Sequence, residues 1–193
     1  MGFLATVTEF SDVLTSLQIR HAVGGSLASS AWSEPRHTND ADFIVELAAH
    51  QVDRLVNGVP DSYLIEPEEI RAVVANPSPF CMFQAIHIPT SFKIDCFVAH
   101  SEWEVLQLSR ASLQEVFPGR TILYASPEDM VIAKCRWFDL GNRVSDRQWH
   151  DLVRLYEVQC ENLERPYIEK WLAHFGLLDL WEEIQKQSTV DTG

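Results

Sequence analysis

The chain is poor in positive charge. Lysine and arginine number 15 against 28 aspartates and glutamates, for a formal net charge of −13. A surface that acidic repels a phosphodiester backbone and disfavours broad nucleic-acid binding. It does not exclude an anion held locally through divalent cations. Cysteine is scarce as well. Cys81, Cys96, Cys135 and Cys160 include no C-x-x-C pair, which argues against a zinc knuckle and for reduced thiols packed in a core. No apolar run reaches the ~18 residues of a membrane span. The opening "MGFLATVTEFSDVL" lacks the basic and apolar regions of a signal peptide, so a cytoplasmic location is expected. There is no G-x-x-x-x-G-K-[ST] loop and no G-x-S-x-G elbow.

What remains is ordinary globular composition, 46% hydrophobic over 193 residues, enough for one substantial core. Phe10, Val13, Leu14 and Leu17 follow Thr8 at helical spacing, which predicts a helix capped by Thr8. "IRHAV" then reads as a strand, "SLASSAW" as the first turns of a helix, and "DADFIVEL" as an alternating strand. "FCMFQAIHIP" and "SFKIDCFVAH" predict a hairpin across Pro89-Thr90-Ser91, and Pro118-Gly119 marks a second hairpin turn. From Ser126 onward the periodicity is helical throughout, opening on a capping serine, a proline and two acids. The expected architecture is α+β (mixed α/β): a core over residues 1–125 and a C-terminal helical subdomain over 126–193.

The chemistry is concentrated between residues 24 and 95. Residues two apart on a strand project to the same face roughly 6.5 Å from each other, so Asp40 and Asp42 form a like-charged pair. A divalent cation between them would relieve the repulsion. Asp95 is a third acid, set in the apolar strand "FKIDCF". Were that strand to lie beside "DADFIVEL", the three carboxylates would converge and hold one or two Mg²⁺ ions. Upstream, Gly24-Gly25-Ser26 joins a strand to a helix, where backbone N–H groups suit a phosphate. A phosphate cradle followed by metal-binding acids describes metal-dependent nucleotidyl transfer.

These residues resemble the signature of the DNA polymerase β-type nucleotidyltransferase superfamily: a Gly-Gly/Ser turn, a short helix, Asp-x-Asp/Glu, and a later strand aspartate. The form R-x-T-x-D-x-D, here Arg36, Thr38, Asp40 and Asp42, is similar to the toxin-type, AbiEii-like branch. "SPED" leading to Lys134, and the pair Asp151-Leu152, fit that branch too. The resemblance implies a nucleotidyltransferase fold, a mixed sheet flanked by helices with the helical subdomain closing over the site. It implies Asp40, Asp42 and Asp95 as catalytic and metal-binding residues, with Mg²⁺ or Mn²⁺ as cofactor. Gly24, Gly25, Ser26, Arg36, Thr38, Lys134 and Asp151 would then serve a nucleoside triphosphate. Asp95 would also activate the acceptor hydroxyl, and Lys134 would steady the phosphates.

The implied activity moves a nucleoside monophosphate to an acceptor hydroxyl, on RNA or a small molecule, with release of pyrophosphate. Two alternatives stand beside it. One is a non-catalytic nucleotide-binding or protein-interaction module on the same fold. The other is the toxin of a toxin–antitoxin pair acting on transfer RNA, whose partner would be an antitoxin protein. Retention of all three acids favours the enzyme.

Overall fold

Helix α1 (Phe3–Ser16) opens the chain. It starts a full turn before Thr8, because Gly2 takes the cap position. The Thr8 hydroxyl instead donates to the Leu4 carbonyl at 2.6 Å, as a helix-interior threonine does. The structure is a computed structural model that describes residues 2–34 and 38–190.

The strands are β1 (Arg20–Val23), β2 (Asp40–Glu46), β3 (Tyr63–Ile65), β4 (Met82–His87), β5 (Phe92–Val98), β6 (Ser112–Phe117) and β7 (Arg120–Tyr124). Among the described residues they form one sheet in the order β3-β4-β5-β2-β1-β7-β6. The β2–β5 and β1–β7 pairs are parallel and the others antiparallel, so the sheet is mixed. Both expected hairpins form, β4–β5 and β6–β7. Strand β3 was not foreseen; three residues carry too little alternation to read. The helices of this part are α2 (Gly25–Trp32), α3 (Val52–Gly58), α4 (Pro67–Ala75) and α5 (Glu102–Arg110), with a 3₁₀ turn at Ala49–Gln51.

Alternation divides the central strands cleanly. Ala41, Phe43 and Val45 of β2 and Ile94, Cys96 and Val98 of β5 are buried, while Asp42 and Asp95 lie on the other, half-exposed face. The buried face packs on helices. Phe10 of α1 meets Phe43 edge-on with ring centroids 5.5 Å apart, beside fully buried Leu14, Leu55 and Ile70. Burial of each such side chain contributes about 1.5–3 kcal/mol, which makes this layer the support for whatever the opposite face carries.

The chain forms two compact units, one comprising Met1–Leu27 and His37–Ala125, the other Ala28–Arg36 and Ser126–Gly193. The second contains α6 (Pro127–Leu140), α7 (Asp146–Gln159), α8 (Arg165–Phe175) and α9 (Leu178–Val190). Ser126 caps α6, and Asp129 of its first turn is fully buried. That carboxylate accepts from the Ser126 hydroxyl at 2.8 Å and the Tyr167 hydroxyl at 2.7 Å. The "SPED" acid is thus a tie between α6 and α8. Helix α8 stops at Gly176, whose φ of 72° is left-handed. Residues 28–32 of α2 belong to this unit, where Gln159 donates to the Trp32 carbonyl at 2.6 Å. Among the described residues no helix is long and apolar enough to cross a membrane.

Candidate active site

Strand β1 ends at Val23, and the chain turns at once into α2. The turn is tied to β2 by the Gly24 N–H, which donates to the Asp42 carbonyl at 2.8 Å. Gly25 has φ +55°, and a Cβ built there would overlap the Asp42 carboxylate, reaching within 2.8 Å of the Asp42 Cβ. Position 25 is therefore glycine for two separate reasons: a left-handed backbone and no room. The same contact places the Asp42 carboxylate against the first residue of α2, where the helix dipole favours negative charge.

Asp40 stands two residues before Asp42 on the same face, exposed at the start of β2. The Thr38 hydroxyl donates both to the Asp40 Oδ1 and, at 3.2 Å, to the Asp40 carbonyl. Strand β5 runs parallel to β2 in the register Asp40↔Lys93 and Asp42↔Asp95. All three acids and Lys93 thus share one face. Asp95 Oδ1 accepts from the Gln84 amide at 2.8 Å, across the β4–β5 pair in which Gln84 is its register partner. Among the described residues neither Asp40 nor Asp95 forms an ion pair, although Lys93 is adjacent in register. Behind them, burial pushes the Cys96 thiol pKa well up, and the negative charges of Asp95 and Asp42 add to the shift.

The carboxylates share a face but are not gathered into a chelate. Among the described residues no group of three or more His, Cys, Asp or Glu side chains is arranged to hold a metal ion. With Asp40 turned to Thr38 and Asp95 to Gln84, each outer acid has one oxygen engaged by a neutral donor. The donor chemistry still suits a hard divalent cation: carboxylate oxygens on one face, with the charges of Asp40 and Asp95 uncompensated by any described cation.

Lys134 and Asp151 lie in the helical unit. Their charged groups approach to 3.5 Å and both side chains are largely buried, so Asp151 is an ion-pair residue between α6 and α7. Arg36 lies outside the described residues. Sequence reasoning missed Gln84 and Lys93. The hairpin pairs His87 with Phe92, so counting outward from its loop would have set Gln84 opposite Asp95.

No protein-family model matches this chain, and no curated protein does. Solved structures do resemble it. The solution structure of the antibiotic-resistance factor ANT(2'')-Ia superposes with a TM-score of 0.58 at 16% identity, covering 95% of this chain and 96% of that one. An antigenic nucleotidyltransferase-like protein from Paracoccidioides brasiliensis gives 0.55 at 16% identity, over 95% and 92%. Lincomycin-bound LnuA, a lincosamide antibiotic adenylyltransferase, gives 0.50 at 13% identity, over 79% and 95%. The mixed sheet with flanking helices is the nucleotidyltransferase fold.

Proposed function

We propose that this chain transfers a nucleoside monophosphate from a nucleoside triphosphate to the hydroxyl of a small molecule, releasing pyrophosphate. One observation carries the reading: the Gly24-Gly25-Ser26 turn opens α2 directly against Asp42, itself in register with Asp95 and two residues from Asp40. Phosphate oxygens are received by the N–H groups of the first turn of α2 and the Ser26 hydroxyl. A divalent cation, Mg²⁺ or Mn²⁺, held by Asp40, Asp42 and Asp95 would supply the charge stabilisation that the clustered phosphates need.

Strand order sets the direction of attack. Relative to β2, the phosphate turn follows β1 on one side, and Asp95 stands on β5 at the other. The acceptor therefore approaches over β5 and β4. Its hydroxyl gives its proton to Asp95 as its oxygen bonds the α-phosphorus, and the oxygen bridging to the β-phosphorus departs with pyrophosphate. The net charge of −13 favours a small acceptor over a polyanionic RNA. The small-molecule acceptor of LnuA, named as a lincosamide antibiotic adenylyltransferase, supports the same choice. Lys134, Asp151 and Arg36 are not required by this scheme.

Thermal unfolding with each common nucleoside triphosphate, with and without Mn²⁺, tests the binding half. A ligand at 100 times its Kd stabilises by about 2.7 kcal/mol. At least one triphosphate should raise the midpoint in a Mn²⁺-dependent manner. Failure of all of them would contradict the proposal.

A further inference from the structure

Asp40 and Asp95 are each held by a neutral donor, as buried Asp129 is by the Ser126 and Tyr167 hydroxyls. Several exposed carboxylates instead meet guanidinium groups: Glu46 with Arg20, Asp53 and Glu68 with Arg71, Glu34 with Arg154. On the candidate catalytic face the groups bound to Asp40 and Asp95 among the described residues are uncharged, a hydroxyl and an amide. A neutral donor fixes a carboxylate's orientation without cancelling its charge, whereas an arginine does both. Gln84 is the better placed of the two donors. It stands on a strand rather than in the segment before one, directly opposite Asp95 in the antiparallel β4–β5 ladder.

Geometry limits what Gln84 can do. Its Nε2 lies 2.8 Å from Asp95 Oδ1, so that oxygen is engaged and the carboxylate plane is set by the sheet. The second oxygen is left for the reaction. Gln84 also lies on the side of β5 from which the acceptor arrives. We propose that Gln84 is a positioning residue for Asp95, holding one carboxylate oxygen so that the other is presented to the cation and the acceptor hydroxyl. This rests on the functional reading above. It adds a residue that neither the Asp-x-Asp pattern nor the glycine turn includes.

The experiment is a double-mutant cycle on Mn²⁺ affinity, read by paramagnetic relaxation in the full chain without nucleotide. Gln84→Met keeps the length and removes the donor. Losing an outer-shell partner of a metal ligand commonly costs about 10–100-fold in affinity. Gln84→Met should therefore weaken Mn²⁺ binding at least about tenfold, with the unfolding midpoint unchanged. In an Asp95→Asn background the same substitution should have almost no further effect, because the two residues act through one contact. Gln84→His, which can donate, should recover part of the loss. Equal Mn²⁺ affinity in Gln84→Met and wild type would overturn Gln84's role alone. An undiminished loss in the Asp95→Asn background would do the same. A wild-type chain that binds no Mn²⁺ would overturn the reading of the whole site, and the positioning role with it.

Discussion

At the scale of single residues, Gly25 is tightly constrained beside the candidate catalytic face. Its left-handed φ costs any L-residue roughly 1–2 kcal/mol, and a Cβ would run into the Asp42 carboxylate. Gly25→Ala is therefore expected to destabilise by about 1–3 kcal/mol and to displace Asp42. Adding Asp42→Ala removes the overlapping carboxylate but neither the Cβ at 2.8 Å nor the strained φ. The double variant should thus recover part of the lost stability in denaturant titration, and none of the nucleotide binding. Additive losses would show that overlap with the Asp42 carboxylate is not what requires glycine at position 25.

At the scale of elements, the sheet is joined to α1 by a buried contact that titrates. His21 of β1 is only 8% exposed. Its Nδ1 lies 2.9 Å from the Ile19 carbonyl, which can only accept, so Nδ1 carries the proton. Its Nε2 then accepts from the Ser11 hydroxyl of α1 at 2.8 Å. Burial lowers the His21 pKa below 6.5, more than the Ile19 carbonyl and Asp12 raise it. The folded state thus binds fewer protons than the unfolded chain between the depressed pKa and 6.5. Stability rises with pH across that window and is lost as pH falls below 6.5. Urea titrations from about pH 8 to about pH 5 should show this loss, and His21→Gln should flatten it. The same slope in the variant would place the responsible proton elsewhere.

Legibility in the sequence followed the same division into local and distant. Asp40 and Asp42 on one face follow from a period of two, and both hairpins from their turn residues. The neighbour of β2 could only be supposed, since strand order depends on contacts remote in sequence. Its identity as β5, with Asp95 opposite Asp42, comes from the structure. Gln84 escaped notice because its role exists only through the β4–β5 register. Thr8 misled because a threonine cap and a helix-interior threonine look alike until Gly2 takes the cap. Asp151 looked as much a surface acid as a site residue, and its partner Lys134 sits 17 positions away on another helix.

At the scale of the whole molecule, an acidic chain places the Gly24-Gly25-Ser26 turn beside β2 and sets Asp40, Asp42 and Asp95 on one accessible face of a sheet of seven strands among the described residues. The core is on the other face, so the acids can be altered without disturbing what holds the fold together. Removing clustered negative charge relieves repulsion, and Asp40→Asn with Asp42→Asn should leave the unfolding midpoint equal to or above that of wild type. The most direct test is release of labelled pyrophosphate from the triphosphate that stabilises the chain. It would be run with Mg²⁺ and a mixture of small hydroxyl compounds, comparing wild type with this double variant. Wild type should release labelled pyrophosphate as the acceptor gains an unlabelled nucleoside monophosphate, and the folded double variant should be slower by at least about 100-fold. Equal release from the two proteins would contradict the assignment of the reaction to this face.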